Sequence, residues 1–199
     1  MLKINHLSKS YQTGANVYPV LKDISFSINK GEFVAVMGPS GSGKTTFLRV
    51  LAGLQKPDSG TVRVPAQKIA CVFQEPRLLP WLTAAQNVNV VLSDREETLP
   101  QATAWLERFG LGGAAAQYPA ELSGGMQQRV ALARAMAYGA DLLLLDEPFK
   151  AMDDALRRSV MQTVADAAGD AAVLLVTHSA EEAEALGCTV YQYENGTFL

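Results

Sequence analysis

The sequence predicts a single α/β domain with a mostly parallel sheet and an α-helical block inserted in its middle. Its 199 residues leave room for one ordinary domain. A composition of 48% hydrophobic and 19% charged residues is typical of a globular protein. Along the chain, strand patterns come first, helical patterns fill the centre, and strand patterns return at the end. Strands that bracket helices in this order favour a parallel α/β core.

The first third of the chain has strand character. Residues 2–7 and 24–28 alternate apolar and polar side chains, as half-buried strands do. Phe33–Met37 is apolar on both faces, which predicts an inner strand that stops at Gly38. Helical spacing begins at Thr45, where apolar residues recur on one face.

The remaining elements follow in order. Residues 61–64 and 68–73 are short strand candidates, and the pattern after Pro80 is mainly helical, with helices predicted over 98–109 and 120–138. Strands are predicted at 142–145, 172–176 and 189–193, with an amphipathic helix over 153–168.

Charge, cysteine spacing and apolar patterning argue against several classes of protein. A net charge of −3 argues against a protein that binds nucleic acid along its phosphate backbone. Cys71 and Cys188 lack metal-ligand spacing, so each is interpreted as a small buried hydrophobe. No apolar run approaches the roughly 20 residues that cross a bilayer, and the N-terminus lacks the apolar core of a secretory signal. We therefore expect a cytoplasmic location.

A glycine-rich loop stands between the predicted inner strand and the first helix. It matches the pattern G-x-x-x-x-G-K-[ST], in which backbone N–H groups wrap a chain of phosphates, Lys44 adds a charge and Thr45 offers a hydroxyl to Mg²⁺. The alternative is a chance glycine-rich turn, which the strand before it and the helix after it disfavour. The predicted phosphate-binding residues are Gly38, Pro39, Ser40, Gly41, Ser42, Gly43, Lys44, Thr45 and Thr46.

Two carboxylates follow the apolar strand at 142–145. The carboxyl ends of parallel strands share one edge of a sheet, so Asp146 and Glu147 are expected beside the phosphate loop. Asp146 would support Mg²⁺, while Glu147 would act as general base on an attacking water. Taken alone, the pair could be an ordinary acidic turn.

A second glycine motif precedes the helix predicted over 120–138. Ser123 can cap a helix, and the bare amides of Gly124 and Gly125 can face a second phosphate. Read as Leu122-Ser123-Gly124-Gly125, the segment resembles the LSGGQ signature of the ATP-binding cassette (ABC) transporter ATPases. The alternative is a glycine-rich helix cap without a ligand.

The resemblance covers nearly the whole chain and implies a fold. It implies a P-loop NTPase (RecA-like) core with a mostly parallel sheet, an N-terminal antiparallel β portion and an inserted helical subdomain. Residues 1–199 would form one ABC ATPase domain, with the core at 1–79 and 140–199 and the helical subdomain at 80–139. The implied cofactors are ATP and Mg²⁺.

Four further positions resemble functional residues of the family. Tyr11 is similar to the aromatic residue that stacks on adenine, and Gln74 to the glutamine that senses Mg²⁺ and the attacking water. Asp153 falls in the dimer-contact loop, and His178 is similar to the histidine that contacts the γ-phosphate. Without the resemblance, Tyr11, Gln74 and His178 could each have a purely structural role.

The resemblance also implies partners. In this family two cassettes pair head to tail, so ATP on Lys44 of one chain would meet Ser123, Gly124 and Gly125 of a second, most simply identical, chain. Residues 72–83 are similar to cassettes of bacterial importers for nitrate, sulfonate and taurine. There, Leu78, Leu79, Trp81 and Leu82 would receive a helix of the transmembrane permease subunits, unless they serve internal packing. A solute-binding protein would act indirectly, and the chain would lie on the inner face of the cell membrane.

Three features depart from the family pattern. Lys150 stands where a small residue commonly begins the dimer-contact loop, and Met126 replaces the final glutamine of the signature. The chain also ends soon after the strand before His178, which predicts a cassette close to the catalytic minimum. An exporter cassette, a soluble ABC ATPase of DNA repair or translation, and a P-loop kinase remain alternatives to an importer subunit.

Overall fold

The structure is a computed structural model that describes residues 2–14, 16–64 and 68–198. Its strands are β1 (Leu2–Thr13), β2 (Asn16–Ile28), β3 (Phe33–Met37), β4 (Ser59–Arg63), β5 (Ile69–Val72), β6 (Leu142–Asp146), β7 (Ala172–Thr177), β8 (Thr189–Glu194) and β9 (Thr197–Phe198). Its α-helices are α1 (Lys44–Leu51), α2 (Ala84–Asn89), α3 (Leu99–Arg108), α4 (Gly124–Ala137), α5 (Asp154–Ala168) and α6 (Ala180–Ala185).

The strands form two sheets. The smaller sheet is antiparallel, with the order β2-β1-β4. The larger sheet has the order β5-β6-β7-β3-β8-β9, and its strands run parallel from β5 to β8. Only the β8–β9 pair of that sheet, within the described residues, is antiparallel. The predicted combination of a parallel α/β core with an N-terminal antiparallel β portion is confirmed.

The parallel sheet is buried on both faces. Along β6, Leu143 and Leu145 pack into the core that the helices α2, α3, α4 and α5 cover. Leu142 and Leu144 point the opposite way, into the core shared with α1 and the N-terminal strands. Alternate side chains of a strand leave opposite faces of the sheet, so both faces must be apolar here. This explains why 142–145 is a continuous apolar run.

The first two strands are longer than predicted. Residues 2–7 and 24–28 lie in strands, as predicted, and the structure pairs these strands with each other and extends them until Thr13 meets Asn16. The register of the pair shifts near Leu7, and His6 and Asp23 have φ of 51° and 52°. Such irregularities break the alternation of apolar and polar residues, which is the signal that predicts a strand.

Helix boundaries also differ from the prediction. The helix predicted over 120–138 begins at Gly124, because Pro119–Glu121 forms a separate 3₁₀ turn and Ser123 caps the helix. Helix α6 was not predicted, because its buried positions are Glu182 and Ala183 and so present no apolar stripe.

The inserted helices pack together beside the parallel sheet. Helices α2, α3 and α4 fall within residues 80–139, the range predicted for a helical subdomain, and they share one core with β5 and β6. Asn87 is fully buried and ties this block to the preceding loop through the carbonyls of Leu79, Leu82 and Thr83. Across 2–14, 16–64 and 68–198, the structure contains no helix with the length and apolar character to cross a membrane.

Candidate active site

Three neighbouring parallel strands deliver the candidate residues to one edge of the sheet. Strand β7 lies between β6 and β3, with Asp146 paired to Val176 and Met37 paired to Thr177. The chain leaves β6 at Glu147, β3 at Gly38 and β7 at His178. The carboxyl ends of the strands therefore bring the glycine-rich loop, the acidic pair and the histidine together, as ligand sites of α/β sheets require.

The glycine-rich loop turns tightly into helix α1. Gly43 precedes the first helical residue and has a φ of 107°, which disfavours any other residue. A Cβ on Gly43 would also lie only 2.6 Å from Val20 Cγ1. The backbone amides at the start of α1 consequently face the edge of the sheet, where the helix dipole favours an anion.

Lys44 holds the loop through backbone carbonyls. Its Nζ donates to the carbonyl oxygens of Gly38 and Pro39, both at 2.7 Å, and lies 3.5 Å from Ser42 Oγ. Burial lowers the pKa of this ammonium, while the nearby charges of Glu147 and Asp146 act against the shift. The loop is thus preformed around a buried cation that an incoming anion could share.

Thr45 and Asp146 are joined directly. The Thr45 hydroxyl donates to Asp146 Oδ2 at 2.9 Å. Asp146 is buried, and this burial raises its pKa above the usual range for an aspartate, although the hydrogen bond from Thr45 lowers it in part. A buried carboxylate with one hydroxyl partner is an incompletely compensated charge, and a divalent cation would compensate it.

We expect Asp146→Asn to raise the thermal stability of the nucleotide-free protein. Burial raises the pKa of Asp146, so the charged carboxylate destabilises the folded chain at neutral pH. Asparagine removes that charge and keeps an acceptor for Thr45, and a gain of about 1 kcal/mol would raise Tm by about 2–4 °C. Thermal unfolding at pH 8 measures the gain, which should shrink as the pH falls toward the raised pKa.

The control for this variant is Asp170→Asn, because the Asp170 side chain is 85% exposed and pairs only with the exposed Lys30 among the salt bridges of the described residues. Its Tm should stay within about 1 °C of wild type. An unchanged or lower Tm for Asp146→Asn would contradict the cost assigned to the buried charge.

Glu147, at the same edge of the sheet, is constrained in both its backbone and its side chain. Its φ of 46° is unusual for a residue other than glycine, and its amide donates to the Val176 carbonyl at 2.9 Å. Glu147 Oε1 lies 2.7 Å from His178 Nε2, and Oε2 lies 3.0 Å from Lys150 Nζ. The carboxylate is therefore held from two sides, in a backbone conformation that occurs often at functional sites.

These residues surround a cavity of about 340 Å³, hereafter the phosphate cavity. The predicted site residues that line it are Ser40, Gly41, Gly43, Lys44, Thr45, Thr46, Gln74, Asp146, Glu147 and His178. Pro39 and Ser42 instead line an adjacent cavity behind the loop. Gly38 contributes its carbonyl to Lys44.

Two lining residues were not predicted as site residues. Val20 reaches the phosphate cavity from β2, and Lys150 reaches it from the loop after β6. Val20 belongs to no motif and arrives through the tertiary packing of the hairpin on Gly43. Lys150 could have been found from its spacing, because it lies three residues after Glu147 in a tight turn.

Some predicted residues lie away from the phosphate cavity. Tyr11 is at its periphery, where its hydroxyl donates to Gln55 Oε1 at 2.7 Å and lies 3.4 Å from Thr46 Oγ1. Ser123 caps α4 by accepting from the Met126 amide at 3.3 Å. Asp153 caps α5 in the same way. Within their own chain, Ser123 and Asp153 therefore act as helix caps.

The second glycine motif lies behind the carboxylate loop. Gly124 lines a cavity of about 280 Å³, hereafter the signature cavity, which shares Gln74, Glu147 and Lys150 with the phosphate cavity. A Cβ on Gly125 would lie 2.6 Å from the Ala151 carbonyl oxygen, so only glycine permits this approach. The signature segment and the loop after β6 are packed directly against each other.

The cysteines and the predicted partner groove occupy other surfaces. Cys71 and Cys188 are unpaired and half-buried, and burial raises the pKa of both thiols to about 11. Trp81 is 68% exposed, whereas its predicted companions in the groove, Leu78, Leu79 and Leu82, are half-buried.

Comparisons with known proteins show which family the chain resembles. Residues 21–150 match the family model described as ABC transporter. The chain is 46% identical over 181 residues to the aliphatic sulfonates import ATP-binding protein SsuB 3 of Rhodococcus jostii (strain RHA1), covering 90% of this chain and 67% of that protein. It is 42% identical over 200 residues to SsuB 1 of Shouchella clausii (strain KSM-K16), covering 98% and 78%.

Solved structures give the same result. The dimeric structure of MJ0796, a bacterial ABC transporter cassette, superposes with a TM-score of 0.93 at 32% identity, covering 100% of this chain and 96% of that chain. The dimeric post-hydrolysis state of MJ0796 bound to ADP and Pi gives the same values. The predicted resemblance and fold are confirmed: the chain belongs to the ABC transporter family, as one of its ATP-binding, ATP-hydrolysing domains.

Proposed function

We propose that this chain is the ATP-hydrolysing subunit of a bacterial-type importer, and that the named residues of the phosphate cavity perform the hydrolysis. The observation that carries the proposal is the convergence of Lys44, the Thr45–Asp146 pair and the Glu147–His178 pair on one cavity. This set contains a cation for phosphates, oxygen ligands for a metal and a base for water.

ATP would bind with its phosphates on the glycine-rich loop. The amides of residues 38–46 and the Lys44 ammonium supply the donors, as phosphate chains require. Tyr11 would stack on the adenine, because it is partly exposed and its hydroxyl lies 3.4 Å from Thr46, which lines the cavity. An aromatic ring at this position can stack on the base, and stacking needs no specific hydrogen-bonding group beside it.

The residues fit a Mg²⁺ ion. The Thr45 hydroxyl, the buried Asp146 carboxylate and the Gln74 side chain offer the oxygen ligands that this ion prefers. When bound, Mg²⁺ neutralises phosphate charge. Asp146 would support the ion, and Gln74 would contact both the ion and the attacking water.

Glu147 would act as general base. One carboxylate oxygen accepts a proton from the water whose oxygen attacks the terminal phosphorus, and the bond from that phosphorus to ADP breaks. His178, 2.7 Å from Glu147, would hold the carboxylate and contact the terminal phosphate. The contact with His178 and the backbone hydrogen bond to Val176 hold Glu147 in position for this role.

The site would be completed by a second copy of the chain. Ser123, Gly124 and Gly125 do not line the phosphate cavity of their own chain, as far as the described residues go. Head-to-tail pairing would bring these amides onto the partner's ATP, with Asp153 in the contact between the two chains. ATP would bridge the dimer, and its hydrolysis would release the bridge.

Import is favoured over export by the relatives, which are named as aliphatic sulfonates import ATP-binding proteins. Half-buried Leu78, Leu79 and Leu82 beside exposed Trp81 could receive a helix from transmembrane permease subunits. The chain would then work at the inner face of the cell membrane, and a solute-binding protein would select an aliphatic sulfonate for the permease.

Uptake measurements test this proposal. A strain that lacks this chain should lose uptake of a labelled aliphatic sulfonate and keep uptake of sulfate. A plasmid carrying the wild-type chain should restore sulfonate uptake, and Lys44→Ala should not restore it. Intact sulfonate uptake in the deletion strain would contradict the assignment, and loss of efflux instead would favour an exporter.

A further inference from the structure

Lys150 is an exposed cation at the mouth of the phosphate cavity. Its side chain is 64% exposed, whereas the Glu147 side chain that it contacts is 14% exposed. Nζ reaches Glu147 Oε2 at 3.0 Å, and no other salt bridge of Lys150 occurs within the described parts of the chain. Because the ammonium end of the pair is exposed and Glu147 also contacts His178, the carboxylate keeps a partner when this contact breaks.

The two lysines of the phosphate cavity differ in their freedom. Lys44 is 6% exposed and is committed to the carbonyls of its own loop. Lys150 ends on a single carboxylate and has a flexible four-carbon stem, so its ammonium can change partners without any backbone movement. It lines both the phosphate cavity and the signature cavity, at the boundary between them.

An ATP phosphate chain would compete with Glu147 for this ammonium. A terminal phosphate group carries more negative charge than a carboxylate group. Charge-assisted hydrogen bonds to its oxygens are strong. ADP lacks the terminal phosphate, which under the proposed mechanism lies next to Glu147. The competition should therefore depend on the third phosphate.

We propose that Lys150 is a further ATP-binding residue, whose ammonium rests on Glu147 in the nucleotide-free chain and transfers to the terminal phosphate when ATP binds. This inference rests on the proposed role of Glu147. Transfer of the ammonium frees Glu147 Oε2 to accept a hydrogen bond from water. Binding of ATP would thus expose the base, whereas binding of ADP would leave it paired.

Paired affinity measurements test the inference. Calorimetric titration with a non-hydrolysable ATP analogue and with ADP, both with Mg²⁺, gives the two Kd values for each variant. Lys150→Met should weaken binding of the analogue about 3- to 10-fold and binding of ADP less than about twofold. Lys150→Arg should retain the preference for the analogue, since it keeps a cation.

Lys30→Met is the matched control. Lys30 is 68% exposed and pairs with Asp170 at 3.2 Å, at the opposite end of the sheet from the phosphate cavity. It should leave both Kd values unchanged. Unchanged affinities in Lys150→Met, or equal losses for the analogue and ADP, would overturn the inference. A wild-type chain that binds neither nucleotide would instead refute the proposed function.

Discussion

Glu147→Gln is expected to bind ATP with near wild-type affinity and to hydrolyse it at least about 100-fold more slowly. General bases contribute about 10²- to 10⁴-fold to such reactions, and glutamine cannot accept the proton of the attacking water. The amide is nearly isosteric with the carboxylate and can still contact His178 and Lys150, so the cavity should keep its shape. Phosphate release and an ATP titration measure the two effects.

The same variant should accumulate as an ATP-bound dimer, because the bridge formed by ATP is no longer removed. Size-exclusion chromatography with Mg-ATP would show the shift from monomer to dimer. Glu181→Gln is the control, since Glu181 is 58% exposed and pairs with Arg157 and Arg158 away from the cavity. Wild-type turnover in Glu147→Gln would remove the general-base assignment.

Lys44→Ala is expected to weaken ATP binding about 100-fold. The change removes a buried cation from the loop that would cradle the phosphates, and each hydrogen bond to a charged group is worth about 1.5–3 kcal/mol. It also leaves the carbonyls of Gly38 and Pro39 without the Nζ donor. Equilibrium titration with ATP measures the loss.

Loss of folding must be separated from loss of binding in this variant. A cooperative thermal transition and an unchanged far-ultraviolet circular dichroism spectrum would show that Lys44→Ala folds. Lys3→Ala changes an exposed lysine of β1 and should bind ATP as wild type does. Wild-type affinity in Lys44→Ala would contradict the placement of the phosphates on this loop.

The core of the fold could be predicted because its signals are local. The apolar run 142–145 reflects a strand with both faces buried, and the glycine pattern at 38–43 reflects a turn that other side chains would obstruct. The hairpin ends could not be predicted, because the shifted register around His6 and Asp23 hides the alternation. The start of α4 was obscured because a 3₁₀ turn at Pro119–Glu121 continues the helical pattern upstream.

The residues of the candidate site could be predicted, whereas the contacts between their side chains could not. Motif spacing placed Lys44, Asp146 and Glu147 at one edge, because parallel strands end together. It could not show that Thr45 donates to Asp146, or that Lys150 rests on Glu147, because such contacts depend on side-chain conformations. The approach of Val20 to the cavity depends on how the hairpin packs on Gly43, which no local pattern records.

The close packing of Gly125 on Ala151 has a consequence for communication between two nucleotides. With head-to-tail pairing, Gly125 would touch ATP held by the partner, while the loop that carries Ala151 begins at Glu147 beside the chain's own ATP. A glycine in backbone contact leaves no slack through which one segment could shift alone. Each chain would then transmit a movement at one nucleotide site to the other, and the two sites of the dimer would hydrolyse ATP together.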